Sequence, residues 1–179
     1  MVRESRITKG ALYFHLRSKE AVAEAIIAEQ SEWLVQRLAV DGAPVQKVVD
    51  LSYAFVDALR SDPLMRASIR MTIDRAAPPT SVAQGYDSWI TAVTLLLDRA
   101  RTAGSLTERV ASHDCAFIIT SSITGLQLTS EALSQRRDLS ERVRSFWHII
   151  LPAIVRPGLL RRVDARPPEH RDGTIGSPI

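Results

Sequence analysis

What most limits the fold of this chain is its periodicity. Between turn signals at Gly42-Ala43-Pro44, Asp62-Pro63, Pro78-Pro79, Gly104-Ser105 and Pro157-Gly158, the apolar residues recur near every 3.6 positions, and no segment alternates with period two. Such a chain builds helices and no sheet, so the expected class is all-α. One helix is predicted from Ser18, a plausible N-cap, to about Ala39, with Val22, Ile26 and Trp33 on one side and Ile27, Leu34 and Leu38 on the next. Others are predicted over about Val45–Arg60 and Pro63–Arg75. Between Thr80 and Ala103, the residues Trp89, Val93, Leu96, Leu97 and Ala100 form a single apolar stripe that Gly104 closes.

The last two predicted helices, about Arg109–Leu133 and Leu139–Val155, carry apolar faces wider than one neighbour each would cover. Small residues, Ser121, Ser122, Thr124 and Gly125, interrupt the first and permit close approach, while Pro152 is expected to bend the end of the second. A two-fold dimer in which both helices pair with their copies as a four-helix bundle accounts for this width. Its expected contacts are Ser121, Ile123, Gly125, Phe146, Trp147 and Ile150; central core helices would be the plainer explanation. Beyond Pro157 the chain turns to arginine, proline and glycine, and residues 158–179 are predicted to be a disordered tail.

A chain of 179 residues, 45% apolar, can bury a core without covalent staples. Its single cysteine, Cys115, excludes an intramolecular disulfide and a thiolate cluster. The apolar stretch Ile149–Val155 is far shorter than the roughly 20 residues that span a bilayer, and no apolar signal sequence follows Met1, so cytoplasmic residence without a membrane partner is expected. Enzymatic constellations are missing from the pattern. His113, Asp114 and Cys115 are consecutive, and neighbouring helical positions point about 100° apart, so they cannot converge on one atom. No glycine-rich phosphate loop, carboxylate pair or metal-ligand spacing accompanies them, and His148 suits a core or interface position better than a base. Neither a cofactor nor a metal is expected.

Charge is small overall, +3, but uneven: residues 1–20 hold five basic and two acidic side chains, whereas the rest of the chain balances. Basic charge gathered at one end favours contact with a polyanion. The stretch Ile7-Thr8-Lys9-Gly10-Ala11-Leu12-Tyr13-Phe14-His15-Leu16-Arg17-Ser18-Lys19-Glu20 gives that contact a form. Thr8 can cap a short helix whose first turn presents Lys9, Gly10 and Ala11, two of them small enough for the backbone to approach a surface. Tyr13, His15, Lys19 and the amides near Ser18 can reach phosphate oxygens, with Leu12, Phe14 and Leu16 packing behind.

This stretch resembles the recognition helix, and the start of the next helix, of the tetracycline-repressor-like (TetR) family of transcriptional regulators. "TKGALYFH" with "SKEAVAEAI", and more loosely "GYDSWITAVTLLLDRARTAGSL", are most similar to the gamma-butyrolactone autoregulator receptors. In that family the motif lies well inside the chain, after a first helix and the first helix of the helix-turn-helix. Residues 1–20 therefore match only a remnant of the DNA-binding head, and residues 21–157 match a helical ligand-binding and dimerisation domain.

The resemblance implies operator DNA as a partner, contacted by Thr8, Lys9, Gly10, Ala11, Tyr13, His15 and Lys19, and a homodimer. It also implies a small apolar effector, gamma-butyrolactone-like, in a pocket that Trp89 lines. Trp89 also suits a core anchor. Val93 on the same stripe and Thr120, Thr124 and Gln127 complete the expected ligand set, with Thr91 and Ser121 as further polar candidates. The expected function is a ligand-responsive DNA-binding transcriptional regulator, with repression the leading reading and the sequence itself not deciding between repressor and activator. The second reading is a ligand-binding and dimerisation protein without a competent DNA head, acting by sequestration or heterodimerisation.

Overall fold

The computed structural model describes residues 19–39, 41–73, 78–109 and 111–171; the motif from Thr8 to His15 and the expected cap Ser18 lie outside them. The described residues form six α-helices: α1 (Lys19–Leu38), α2 (Pro44–Ser61), α3 (Pro63–Ile73), α4 (Pro79–Thr102), α5 (Ser112–Ser134) and α6 (Leu139–Ile154). Two 3-10 turns follow, Pro157–Arg162 and Pro168–His170. A single isolated bridge between Leu106 and Val155 is the only β pairing among the described residues.

The boundaries have local causes. Three of the helices, α2, α3 and α4, start at a proline, whose fixed φ suits the first turn and whose missing N–H leaves no donor unsatisfied there. Asp62 serves two helices: its N–H bonds the Ala58 carbonyl to end α2, while its carboxylate accepts the Leu64 amide at 2.8 Å to start α3. At the end of α4, Gly104 adopts φ +69°, and the Ser105 amide returns to the Ala100 carbonyl at 2.8 Å, closing a Schellman-type cap. Where α5 ends there is no glycine, and Gln135 and Arg136 both take left-handed φ, 55° and 63°.

Helix α4 is central, with α1, α2 and α5 packed around it, and α6 closes against α2 and α5. The core runs from Val48, Val49 and Val56 of α2 through Leu96, Leu97 and Ala100 of α4 to Val143 and Trp147 of α6. The Trp147 indole is fully buried and donates to Ser52 Oγ at 2.8 Å, while the Ser52 hydroxyl donates to the Val49 carbonyl. This overturns its expected place at a dimer interface: with no exposed surface, Trp147 is an anchor of the protomer's own core.

The tail from 158 to 171 is docked, contrary to the disorder predicted for it. Leu159, Leu160 and Val163 pack on the core, and Ala165 is buried. Polar bonds to α2 hold the rest: the Gln46 side chain bonds both the carbonyl and the amide of Asp164, the Tyr53 hydroxyl donates to the Ala165 carbonyl at 2.6 Å, and Arg171 pairs with Asp50 at 2.6 Å. A periodicity argument cannot see attachment made largely through backbone groups.

Candidate functional site

Between these helices lies a partly open cavity of about 60 Å³, room for a few water molecules. From α2 come Val48, Leu51, Ser52 and Phe55; from α4, Gly85, Tyr86, Trp89 and Val93; from α5, Ile119, Thr120, Ile123, Thr124 and Gln127. Ile69, Thr72 and Ile73 of α3 close one side, and Gln30 of α1 reaches in from another. Helical spacing explains the convergence, since 119, 120, 123, 124 and 127 fall on one face of α5, as 85, 86, 89 and 93 do on α4.

Trp89 is half-buried within an aromatic cluster. It meets Phe55 edge-on at 5.2 Å between ring centroids and lies tilted against Trp33 at 5.8 Å, and the Arg37 guanidinium sits 3.7 Å over the Trp33 ring. The wall contains no carboxylate, lysine or arginine. Such a wall suits a neutral molecule, because a buried charge without a counter-charge is expensive.

Most polar groups in the wall are already engaged. Thr72 and Thr124 donate to the carbonyls of Ser68 and Thr120, Gln30 accepts from Ser68 at 2.8 Å, and Ser52 takes the Trp147 bond. Two groups of the wall, Thr120 Oγ1 and Gln127 Nε2, are fully buried without a hydrogen-bond partner among the described residues. A buried amide or hydroxyl left unpaired costs on the order of 1–3 kcal/mol, so both favour an occupant that brings a hydrogen-bonding atom.

All five residues of the expected ligand set, Trp89, Val93, Thr120, Thr124 and Gln127, line this cavity. The further candidates do not: Thr91 and Ser121 are exposed and absent from its wall. Gln30, Ser52, Thr72 and Tyr86 are cavity residues that sequence reasoning missed, the first three because they lie on helices whose orientation the pattern leaves open.

Of the expected dimer contacts, Ser121 and Gly125 are exposed, Phe146 and Ile150 are half-buried, and Ile123 is buried in the cavity wall. On these two helices the exposed large apolar residues are Phe117 (54%), Ile118 (54%), Leu128 and Leu133 of α5 and Ile149 (73%) of α6. Phe117, Ser121, Gly125 and Leu128 follow one another at spacings of four, four and three, one stripe along α5.

Among the expected DNA contacts only Lys19 falls in the described residues, as the first residue of α1; Thr8, Lys9, Gly10, Ala11, Tyr13 and His15 lie outside them. His113 and Asp114 lie side by side, Nδ1 3.9 Å from Oδ1, and only Cys115 turns away from them. The first two are exposed, while Cys115 faces the core, where burial pushes its thiol pKa up and keeps it protonated.

No family model matches the chain. It is similar to the A-factor receptor protein of Streptomyces griseus, 36% identical over 163 residues that make up 91% of this chain and 58% of that protein. The chain thus spans somewhat over half the length of that curated relative. Among solved structures, the full-length TetR regulator TylP of Streptomyces fradiae is 31% identical and superposes with a TM-score of 0.73 over 89% of this chain and 76% of its own. The fold is shared by CprB of Streptomyces coelicolor, solved in complex with its operator sequence, at 22% identity and a TM-score of 0.72 over 87% of this chain and 76% of that one.

Proposed function

Since this chain belongs to the TetR family of regulators, we propose that it acts as a ligand-responsive DNA-binding transcriptional regulator, a repressor released by a neutral, apolar effector of the gamma-butyrolactone kind. The observation that carries the reading is the uncharged cavity, walled by Trp89 and aliphatic residues and holding two unpaired polar groups, Thr120 Oγ1 and Gln127 Nε2. That composition suits a lactone bearing an alkyl chain, with apolar burial for affinity and one or two polar contacts for orientation.

Pockets for such molecules run to about 300 Å³ or more, so a cavity of about 60 Å³ has to widen when an effector enters. Helix α1 is the element that transmits the change. Gln30 stands in the wall and Trp33 leans on Trp89, while the other end of α1 begins at Lys19, next to the recognition motif. Its 20 residues extend about 30 Å, so a small tilt at Gln30 becomes a larger displacement at Lys19. In a dimer assembled through the exposed stripes of α5 and α6, such tilts change the spacing of the two heads and with it their fit to successive major grooves.

A mobility-shift experiment with DNA from upstream of the gene, with and without a 2-alkyl-γ-butyrolactone, tests the reading. A salt-sensitive complex that the lactone dissolves is expected. Binding that ignores lactones, or lactone binding by a chain with no affinity for DNA at low salt, would refute it.

A further inference from the structure

We propose that Arg136 fixes the polarity of the cavity at Gln127, so that the site accepts an effector presenting a carbonyl-type oxygen there and rejects one presenting a donor. The inference rests on the ligand-binding reading above and adds to it a specificity-determining pair.

A glutamine amide is two-faced: turned one way it offers a donor, turned the other an acceptor. Gln127 is 1% exposed, and the atom that meets its amide is Nη2 of Arg136, 3.3 Å from Oε1. A guanidinium carries donors only, so the amide oxygen must face it, and the flipped amide would set donor against donor. The nitrogen is thereby left away from Arg136, without a protein acceptor among the described residues, in a side chain that lines the cavity. Thr120, seven residues earlier on the same face of α5, can donate or accept and so imposes no polarity of its own.

Arg136 is itself held. Its Nη1 pairs with Glu131 at 3.2 Å, its backbone N–H bonds the Ser130 carbonyl at 3.1 Å, and its side chain is 17% exposed. Two successive left-handed residues, Gln135 and Arg136, take the chain out of α5 and fold the guanidinium back beside Gln127. Non-glycine residues seldom adopt that conformation, and surrounding contacts must sustain it. Arg136 is thus a positioning residue that acts through Gln127.

The test uses two five-membered-ring probes of like shape: 2-hexylcyclopentanone, which can only accept, and 2-hexylpyrrole, whose ring N–H can only donate. Calorimetric titration of the intact chain measures both. Arg136→Met frees the amide to turn its oxygen inward, and pyrrole affinity is expected to rise about tenfold with little change for the ketone. Arg136→Lys, still a donor only, keeps the original preference. Gln127→Glu, the same shape with an acceptor in place of the nitrogen, inverts the preference. A gain in affinity is not what a merely damaged fold produces. Should the Arg136 variants fail to fold, the Gln127 side-chain amide protons of the unaltered protein still report: the ketone should move them downfield and the pyrrole should not. Loss of both affinities alike in Gln127→Glu, an unchanged pyrrole affinity in Arg136→Met, or amide protons indifferent to the ketone overturns the proposal alone. Failure of the unaltered chain to bind either probe overturns the ligand reading and the proposal together.

Discussion

Trp89→Ala separates a cavity wall from a core anchor, because the protein contains both kinds of tryptophan. Truncating a fully buried tryptophan costs roughly 3–5 kcal/mol. Trp147 is such a residue, with no exposed surface and an indole N–H bonded to Ser52, so its alanine variant should fall near the top of that range. Trp89 also loses two aromatic contacts, with Phe55 and Trp33, each worth about 0.5–1.5 kcal/mol. Part of its surface, however, borders the cavity, and removing the side chain enlarges a hollow that already exists rather than opening a new one. The expected cost is therefore about 2–3 kcal/mol, read as a lower midpoint in urea unfolding at unchanged slope. Calorimetric titration with a 2-hexyl-γ-butyrolactone should show affinity falling tenfold or more. A Trp89→Ala variant that loses as much stability as Trp147→Ala yet binds the lactone normally would refute the reasoning.

Glutamate at Phe117 or Ile149, both exposed in the protomer, should change its stability by no more than about 0.5 kcal/mol while converting a sedimenting dimer to monomer; a dimer that persists in both variants excludes those faces. Tyr53→Phe removes the bond to the Ala165 carbonyl and should cost about 1 kcal/mol, with faster amide exchange near Asp164. Burial also raises the Tyr53 phenol pKa well above the ordinary tyrosine value, so one of the three tyrosines should resist ionisation in an alkaline absorbance titration. The hydroxyls of Ser130 and Ser134, and then Arg142, hold the Asp138 carboxyl well below the usual range. Its contribution to stability is therefore complete above the ordinary aspartate pKa of about 4 and declines as pH falls below it, and Asp138→Asn should flatten that part of the acid limb.

Most of the fold was legible because its punctuation is chemical. Pro44, Pro63 and Pro79 start helices where the sequence places them, and Gly104 ends one. Rotation about a helix axis was harder. In α6 the residues 143, 147, 151 and 154 face inward and 145, 149 and 153 outward, and a sequence apolar at 146, 147, 149, 150 and 151 does not distinguish the two sides. That ambiguity put Trp147 at an interface and left out Ile149. On α4 and α5 the cavity was legible only in part: the family resemblance pointed to a pocket at Trp89, and Val93, Thr120, Thr124 and Gln127 line it, but Tyr86 was missed and Ile123 was assigned to the dimer contacts. Gln30 and Thr72 were not legible, since only the arrangement of α1 and α3 around the others brings them in. Arg136 could not have been found either, because its role depends on a left-handed turn made without glycine.

The docked tail has a mechanical consequence for the cavity. Gln46, Asp50 and Tyr53 fasten the outer side of α2 to the tail, while Val48, Leu51, Ser52 and Phe55 on the inner side form the wall. Helix α3, by contrast, has only Met65 and Ser68 buried, and it presents Ile69, Thr72 and Ile73 to the same space. The enclosure thus has a stiff back and a soft front. Under the proposed mechanism, expansion from within meets least resistance toward α3 and the neighbouring α1, the helix that leads to the basic end of the chain.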